Sequence, residues 1–274
     1  MSDAYGIIAG AGSFPLHVAR EMTRRGLTVA AIGLRGWVDE ALAAHVSAYD
    51  EVSVGQLGRM IETLKARRVS QAVMAGKVTK EVLFDPRVEF DAEALDVLRS
   101  TTEFSVNRLL GAIADRLLAH GITLLDSSTF LKDNLCRTGV LTTTAPTAEQ
   151  QQDIRMGVAA ARQMAAMDIG QTIVVRRAVI VAVEALEGTD ATIRRAGEIA
   201  GPGCVIVKMA SPSQDRRFDL PVLGPSTITS AASARASCLA VEAGSTLLLD
   251  PQALLAQAEQ TGLCLVGIDP AALS

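Results

Sequence analysis

The chain has 274 residues, of which 49% are hydrophobic but only 3% aromatic, and its formal net charge is −4. This length suffices for two ordinary domains, and a core rich in Ala, Val, Leu and Ile but poor in rings is typical of an α/β protein. The negative charge argues against a sequence-independent nucleic-acid binder, which depends on an excess of Lys and Arg. We therefore expect small-molecule partners and no nucleic acid.

The cysteines and the apolar runs indicate the compartment. Four widely spaced cysteines and an N-terminus without a recognisable secretory leader predict reduced thiols in a cytoplasmic protein. Apolar runs such as residues 178–183 are much shorter than the roughly 20 residues that cross a bilayer. Any membrane contact is expected to be peripheral.

The first half of the chain alternates strands and helices. An apolar strand over residues 6–9 runs into a glycine turn, and a helix follows from Pro15 to about Arg25. Further strands are predicted over 27–34, 71–75 and 122–125, and further helices over 56–67, 91–100 and 105–120. This order predicts a Rossmann-like N-terminal domain with a doubly wound parallel sheet, spanning residues 1–138.

The second half has a different order of elements. A threonine-rich stretch over 139–146 predicts a domain boundary, and a helix over 148–167 precedes two strands joined only by Arg176 and Arg177. So short a connection makes a hairpin and not a crossover. Later helices are predicted over 190–200, after Pro225 and near the C-terminus, with strands over 204–209, 238–242 and 246–249 and a last one at the end. We expect a C-terminal α/β domain with a mixed sheet over residues 139–274.

Two glycine turns follow predicted strands of the first half. Gly10, Gly12 and Ser13 lie between a strand and a helix, where backbone N–H groups can approach a phosphate. A tight structural turn is the alternative. Pro15 stands where the dinucleotide fingerprint has its third glycine, so a nicotinamide-dependent oxidoreductase would rest on Gly10-x-Gly12 alone. Lys77 ends another strand and could also contact a phosphate, although an exposed loop lysine is equally consistent.

Acidic and basic residues alternate over residues 184–195. Glu187 and Asp190 are candidate metal ligands, and Thr189, Arg194 and Arg195 are candidate phosphate contacts. Helix capping alone would explain Thr189 and Asp190. It explains neither the arginine pair nor Glu184, which lies close to the preceding strand.

A second charged segment begins at Lys208, at the end of an apolar strand. Gln214, Asp215, Arg217 and Asp219 follow within one loop. Asp219 lies between Phe218 and Leu220, and burial of its carboxylate would require a cation or a metal. An internal ion pair with Arg217 or Lys208 is the alternative. The three histidines share no ligand spacing, so an oxygen-only site for Mg²⁺ or Mn²⁺ is favoured over zinc.

These motifs carry a resemblance to a known family. The chain resembles the UDP-2,3-diacylglucosamine pyrophosphatases of the LpxI type over nearly its whole length, in stretches that include GIIAGAGSFP (6–15), AGKV (75–78), GVLT (139–142), AVEALEGTDATIRRAG (182–197), VKMASPSQDRRFDLPVLGPSTI (207–228) and AVEAGSTLLLD (240–250). The resemblance implies a metal-dependent hydrolase that produces UMP and 2,3-diacylglucosamine 1-phosphate (lipid X) in lipid A biosynthesis, with its ligand between two domains. It also implies that Asp219 is an essential aspartate. Residues 104–107 depart from an acidic GDD-like stretch in relatives.

Residue chemistry and resemblance together assign roles. Asp219, Lys208 and Asp215 are the predicted catalytic residues. Asp219, Asp190 and Glu187 are the predicted ligands of Mg²⁺ or Mn²⁺. The predicted substrate and phosphate contacts are Gly10, Gly12, Ser13, Lys77, Thr189, Arg194, Arg195, Gln214 and Arg217. Peripheral contact with the inner membrane and a possible homodimer are expected, and a non-catalytic nucleotide-sugar or lipid-phosphate binder is the alternative function.

Overall fold

The computed structural model describes residues 4–78, 82, 85–100, 106–167, 169–211, 215–218 and 220–273. The chain forms two compact units, one of Met1–Leu131 with Asp215–Asp219 and one of Lys132–Gln214 with Leu220–Ser274. The short segment 215–219 therefore belongs with the first unit although its neighbours in sequence belong with the second. The domains predicted over residues 1–138 and 139–274 stay predictions.

The first unit is built on a parallel sheet. Its elements are β1 (Ala4–Ala9), α1 (Phe14–Arg24), β2 (Val29–Leu34), a 3-10 helix (Glu40–His45), β3 (Ala48–Val52), α2 (Leu57–Ala66), β4 (Val69–Ala75), α3 (Ala92–Ser100), α4 (Val106–Ala119) and β5 (Thr123–Leu124). The strand order is β3-β2-β1-β4-β5, with every pair parallel. This confirms the Rossmann-like sheet. Strand β3 was absent from the prediction because its sequence, AYDEV, has the polar composition of a sheet edge.

The second unit is built on a mixed sheet, as predicted. Its elements are β6 (Gly139–Val140), α5 (Ala148–Ala166), β7 (Thr172–Arg176), β8 (Val179–Val183), α6 (Thr189–Ala200), β9 (Val205–Lys208), β10 (Val222–Leu223), α7 (Pro225–Ser233), β11 (Cys238–Glu242), β12 (Leu247–Leu248), α8 (Pro251–Gln260) and β13 (Cys264–Ile268), with a 3-10 helix at each end (Lys132–Asn134 and Pro270–Leu273). The order of the main sheet is β6-β13-β11-β9-β7-β8. Strands β9, β11 and β13 are parallel, whereas β7 is antiparallel to both of its neighbours and β6 to β13.

Apolar cores cover both faces of this second sheet. Ile154 and Val158 of α5 pack with Val205 and Val207 on one face, and Ile193 of α6 belongs to the cluster on the other. All four cysteines are buried free thiols, and burial raises the pKa of Cys136 to about 11. Within the described ranges, no helix has both the length and the apolar character to span a bilayer.

The hairpin between β7 and β8 turns on two residues with unusual backbone angles. Arg177 and Ala178 have φ of 49° and 57°, the positive values that a two-residue type I′ turn requires. The buried Asp153 carboxylate accepts hydrogen bonds from both turn N–H groups, at 3.1 and 2.6 Å. Asp153 therefore stabilises a conformation that these two side chains disfavour by themselves.

We predict opposite stability changes at these two positions. Ala178→Gly should raise the free energy of unfolding by about 0.5–1 kcal/mol, because glycine adopts positive φ without steric cost. Asp153→Ala should lower it by about 1.5–3 kcal/mol, since both turn N–H groups lose their buried, charged acceptor. Urea denaturation measures both. A loss of stability in Ala178→Gly would contradict the proposed strain.

Candidate functional site

The first unit brings two loops together at the carboxyl edge of its sheet. The strand order reverses between β1 and β4, which is where open α/β sheets bind ligands. The Gly10 N–H donates to the carbonyl of Ala75 at 2.8 Å, and Ala11 and Lys77 exchange two backbone hydrogen bonds of 2.8 and 2.9 Å. The predicted glycine turn and the predicted lysine loop are thus joined.

Glycine is required at two positions of this junction. A Cβ at Gly10 would lie 2.8 Å from the Lys77 carbonyl oxygen. Gly76 has φ of +94°, and a Cβ there would lie 2.7 Å from the Gly10 carbonyl carbon. The close approach of two backbones therefore accounts for both residues without a ligand.

The N-terminus of α1 is accessible beside this junction. Gly12 and Ser13 are exposed, and the Ser13 side chain makes no capping hydrogen bond within the part of the chain that the structure describes. The first N–H groups of a helix carry partial positive charge. The turn can therefore contact an anion, with the exposed Lys77 nearby on the joined loop.

Residues 215–218 lie beside the same strand end. The Ser127 hydroxyl is 2.8 Å from the carbonyl oxygens of both Met74 and Arg217, and the Ser127 N–H donates to the Arg216 carbonyl at 2.9 Å. Met74 and Ala75 are consecutive residues of β4. The segment with Arg217 and the turn with Gly10 are therefore attached to neighbouring carbonyls of one strand.

Asp215 and Arg217 form an ion pair with each other. The shortest distance between guanidinium nitrogen and carboxylate oxygen is 2.6 Å, and the two side chains are about one-third exposed, at 32% and 37%. A hydrogen bond from Arg217 lowers the pKa of Asp215 and correspondingly raises that of the guanidinium. The Arg217 guanidinium also lies 5.7 Å from the centre of the Phe218 ring. In this state Asp215 orients Arg217.

The second unit contains a buried polar network at the end of β9. Lys208 is only 7% exposed, and its Nζ donates to the Thr189 hydroxyl at 2.9 Å. That hydroxyl donates to Glu184 Oε1, also at 2.9 Å. Two predicted site residues, Thr189 and Lys208, are therefore in direct contact, with Glu184 completing the network.

The Glu184 carboxylate balances the buried lysine. Burial by itself raises the pKa of Glu184, but the charge of Lys208 and hydrogen bonds from Thr172, Thr189 and the Gln171 N–H outweigh it, so that the pKa is lowered. An ammonium group has three donors, and Lys208 has one hydrogen-bond acceptor among the described residues. Lys208 can thus hold an additional anion while remaining paired.

The predicted metal ligands differ in whether their carboxylate oxygens are already hydrogen-bonded. Glu187 accepts hydrogen bonds from Arg195 at 2.7 Å, from the Ala185 N–H and from Thr192, so its oxygens are occupied. Asp190 Oδ1 is buried and has no hydrogen-bond partner within the described part of the chain, which suits a ligand that brings a proton or a positive charge. The described residues contain no group of three or more His, Cys, Asp or Glu that could hold a metal.

Other predicted residues lie apart from this network or outside the described part of the chain. Arg194 donates to Ser230 at 3.3 Å, on the side of α6 that faces α7, whereas Arg195 pairs with Glu187. Gln214 and Asp219 lie outside the described residues, as do Phe104 and Ser105 of the divergent stretch. Their assigned roles stay predictions.

Asp126 and Ser127 were not among the predicted site residues. Asp126 pairs with the Arg216 side chain, and Ser127 contacts the backbone carbonyls of Arg216 and Arg217. A usable signal was present, because these polar residues directly follow a predicted parallel strand. The rule that selected Lys77 would have selected them.

Comparison with known proteins matches both halves of the chain. A family model described as the LpxI N-terminal domain matches residues 4–134, and one described as the LpxI C-terminal domain matches residues 137–266. A Caulobacter vibrioides protein named UDP-2,3-diacylglucosamine pyrophosphatase LpxI is 31% identical over 276 aligned positions, which cover 97% of each chain.

Solved structures give only loose alignments. Thermus thermophilus UDP-glucose 4-epimerase in complex with NAD aligns at 13% identity with a TM-score of 0.32, over 98% of this chain and 91% of that one. Biotin carboxylase from Campylobacter jejuni aligns at 12% identity with a TM-score of 0.28, over 73% of this chain and 42% of that one. Alignments this loose support no argument about function.

The Lys208–Glu184 pair gives a prediction with a defined pH dependence. Lys208→Met should lower the free energy of unfolding by about 3–5 kcal/mol at pH 7, because it leaves a buried carboxylate without its cation. The lowered pKa of Glu184 contributes stability above the ordinary value of 4.5 and loses it as the pH falls. The deficit of the variant should therefore shrink on acidification, as Glu184 takes up a proton.

Urea denaturation between pH 4 and 8 measures this effect. The double variant Lys208→Met/Glu184→Gln is the control and should recover part of the lost stability. A deficit that is independent of pH would contradict the pairing.

Proposed function

The chain belongs to the LpxI family, and on that premise we propose that it hydrolyses the pyrophosphate bond of UDP-2,3-diacylglucosamine in lipid A synthesis. The observation that carries the proposal is the alignment with the Caulobacter vibrioides enzyme, which extends over 97% of both chains. An alignment of this extent includes both matched domains, and therefore involves more than a shared nucleotide-binding fold.

The proposed products are UMP and 2,3-diacylglucosamine 1-phosphate. Hydrolysis of the pyrophosphate adds one water across a phosphorus–oxygen bond and separates two phosphate monoesters. The residues of this chain have to bind an anionic diphosphate, orient it toward water and stabilise the additional negative charge of the transition state.

Two described groups of residues support anion binding. In the first unit, the uncapped N-terminus of α1, the exposed Lys77 and the segment that carries Arg217 occur at one edge of the sheet. In the second unit, Lys208 is held in a fixed direction by Thr189 and keeps donors for a ligand. Rigid donors of this kind favour a transition state, since they need no reorganisation when charge develops.

A divalent cation, Mg²⁺ or Mn²⁺, is proposed as the cofactor. The ligands that we propose are Asp219, Asp190 and Glu187, and of the two described members Asp190 fits better because one of its buried oxygens has no partner. Glu187 would have to exchange its hydrogen bonds with Arg195 and Thr192. When bound, such a cation screens diphosphate charge and lowers the pKa of a water.

Asp219 is proposed as the essential carboxylate of the reaction. It directly follows Phe218, whose ring packs partly buried against the core of the first unit. Peripheral contact with the inner membrane is proposed because the substrate carries acyl chains, and a homodimer is proposed by analogy with the family.

Asp219→Ala should retain substrate binding but reduce kcat by about two to four orders of magnitude, the range for a positioned catalytic group. UMP release measured by mass spectrometry in ¹⁸O-water reports turnover and the phosphorus attacked, and calorimetric titration reports binding. Asp85→Ala is a control at a partly exposed loop carboxylate that pairs with Arg87. Normal turnover in Asp219→Ala would remove the assignment.

Chelation of divalent cations should abolish UMP release, and added Mg²⁺ or Mn²⁺ should restore it. Among the carboxylate variants, Asp190→Asn should raise the Mg²⁺ concentration for half-maximal activity by about 10-fold or more, since a ligand charge is lost. Glu187→Gln should raise it by less than Asp190→Asn does, because Glu187 has to exchange its hydrogen bonds with Arg195 and Thr192 before it can bind the cation. Full activity in EDTA would rule out the cation, and no UMP under either condition would indicate a binder.

A further inference from the structure

Ser127 contacts two consecutive backbone carbonyls of the segment 215–218, those of Arg216 and Arg217. The residue is 2% exposed, and its hydroxyl lies 2.8 Å from the carbonyl oxygens of both Arg217 and Met74. Its N–H donates to the Arg216 carbonyl at 2.9 Å. Ser127, which lies three positions after the end of β5, therefore fixes residues 216 and 217 against the end of β4.

Asp126 keeps this arrangement rigid. One of its carboxylate oxygens accepts hydrogen bonds from the Ser128 N–H and hydroxyl, at 2.7 and 2.5 Å, and the other accepts from Arg216 Nε at 2.9 Å. The Asp126 carbonyl accepts from the Thr129 N–H and hydroxyl. The loop that holds the segment is thus itself held by short local bonds.

The fixed backbone determines where the Arg217 guanidinium lies. The Arg217 carbonyl is bound to Ser127, and the Arg217 guanidinium is bound to Asp215. The Phe218 ring, which lies against the guanidinium, packs on the apolar core of the unit. Each of the three contacts restricts a different part of the residue. Loss of the Ser127 hydroxyl would release the Arg217 carbonyl, although the Ser127 N–H would still hold the Arg216 carbonyl. The ion pair with Asp215 would move with Arg217.

We infer that Ser127 is a positioning residue for hydrolysis, acting through the Arg216–Phe218 segment, with Asp126 as its support. This inference deepens the proposed function and rests on it. Ser127 need not touch the substrate, because its effect is to hold Arg217 at the sheet edge. A displacement of about 1 Å is enough to cost roughly 100-fold in rate.

The test is a double-mutant cycle on UMP release. Ser127→Ala should lower kcat by about 10- to 100-fold. The same substitution in an Arg217→Ala background should lower it by less than about 3-fold further, because the residue that it positions is already absent. A merely structural role would give effects that multiply, and this outcome would overturn the inference.

Ser237→Ala is the matched control. Its hydroxyl also contacts two backbone carbonyls, those of Gly203 and Cys204, at 3.1 and 3.4 Å, but it lies just before β11, at the amino end of that strand in the second unit. It should keep kcat within about 2-fold of the wild type. A loss in Ser237→Ala equal to that in Ser127→Ala would assign the effect to lost serine hydrogen bonds in general.

Asp126→Asn keeps the inference testable if Ser127→Ala does not fold. The Asp126 side chain is 34% exposed, and asparagine keeps an acceptor while the ion pair with Arg216 is lost. This variant should lower kcat about 3- to 10-fold, and again by less than 3-fold in the Arg217→Ala background. Independent effects would contradict the inference. Absence of UMP release by the wild-type protein would instead contradict the proposed function, so that the two failures are distinguishable.

Discussion

The carboxyl end of β4 is the constraint on which the organisation of the first unit depends. Two consecutive carbonyls there, of Met74 and Ala75, accept hydrogen bonds from Ser127 on one side and Gly10 on the other. A strand inside a parallel sheet alternates the direction of its carbonyls between its two neighbours. This geometry allows one strand end to attach both a glycine turn and a segment that is more than 130 residues later in the chain.

The second unit stabilises its buried cation, Lys208, in a different way. Lys208 is almost fully buried, so it needs the Glu184 carboxylate and a hydroxyl relay through Thr189 to be tolerated. Arg217 is partly solvated and needs only Asp215. A buried cation fixed in this way suits recognition of an anion, because desolvated charges interact strongly. The same burial makes Lys208 a larger determinant of stability than Arg217.

Family membership and geometry contribute different parts of the functional conclusion. The match of both domains shows that the chain belongs to the LpxI family, and the proposed reaction rests on that membership. The described contacts explain how individual residues are oriented: Arg217 by Asp215 and Ser127, and Lys208 by Thr189. A fold of this class supports many reactions, and the chemistry resides in such local arrangements.

Sequence alone determined the order of the longer elements except β3, the parallel and mixed character of the two sheets, and the family. Periodicity, glycine turns and the two-residue gap at Arg177 are local signals, and local signals suffice for local structure. Contacts between distant segments had no such signal. Strand β3 has a polar sequence because it is an edge strand. The contact of Ser127 with Arg217 joins residues 90 positions apart. Only the tertiary structure decided which charges are paired, since pairing depends on which strand ends the fold places side by side.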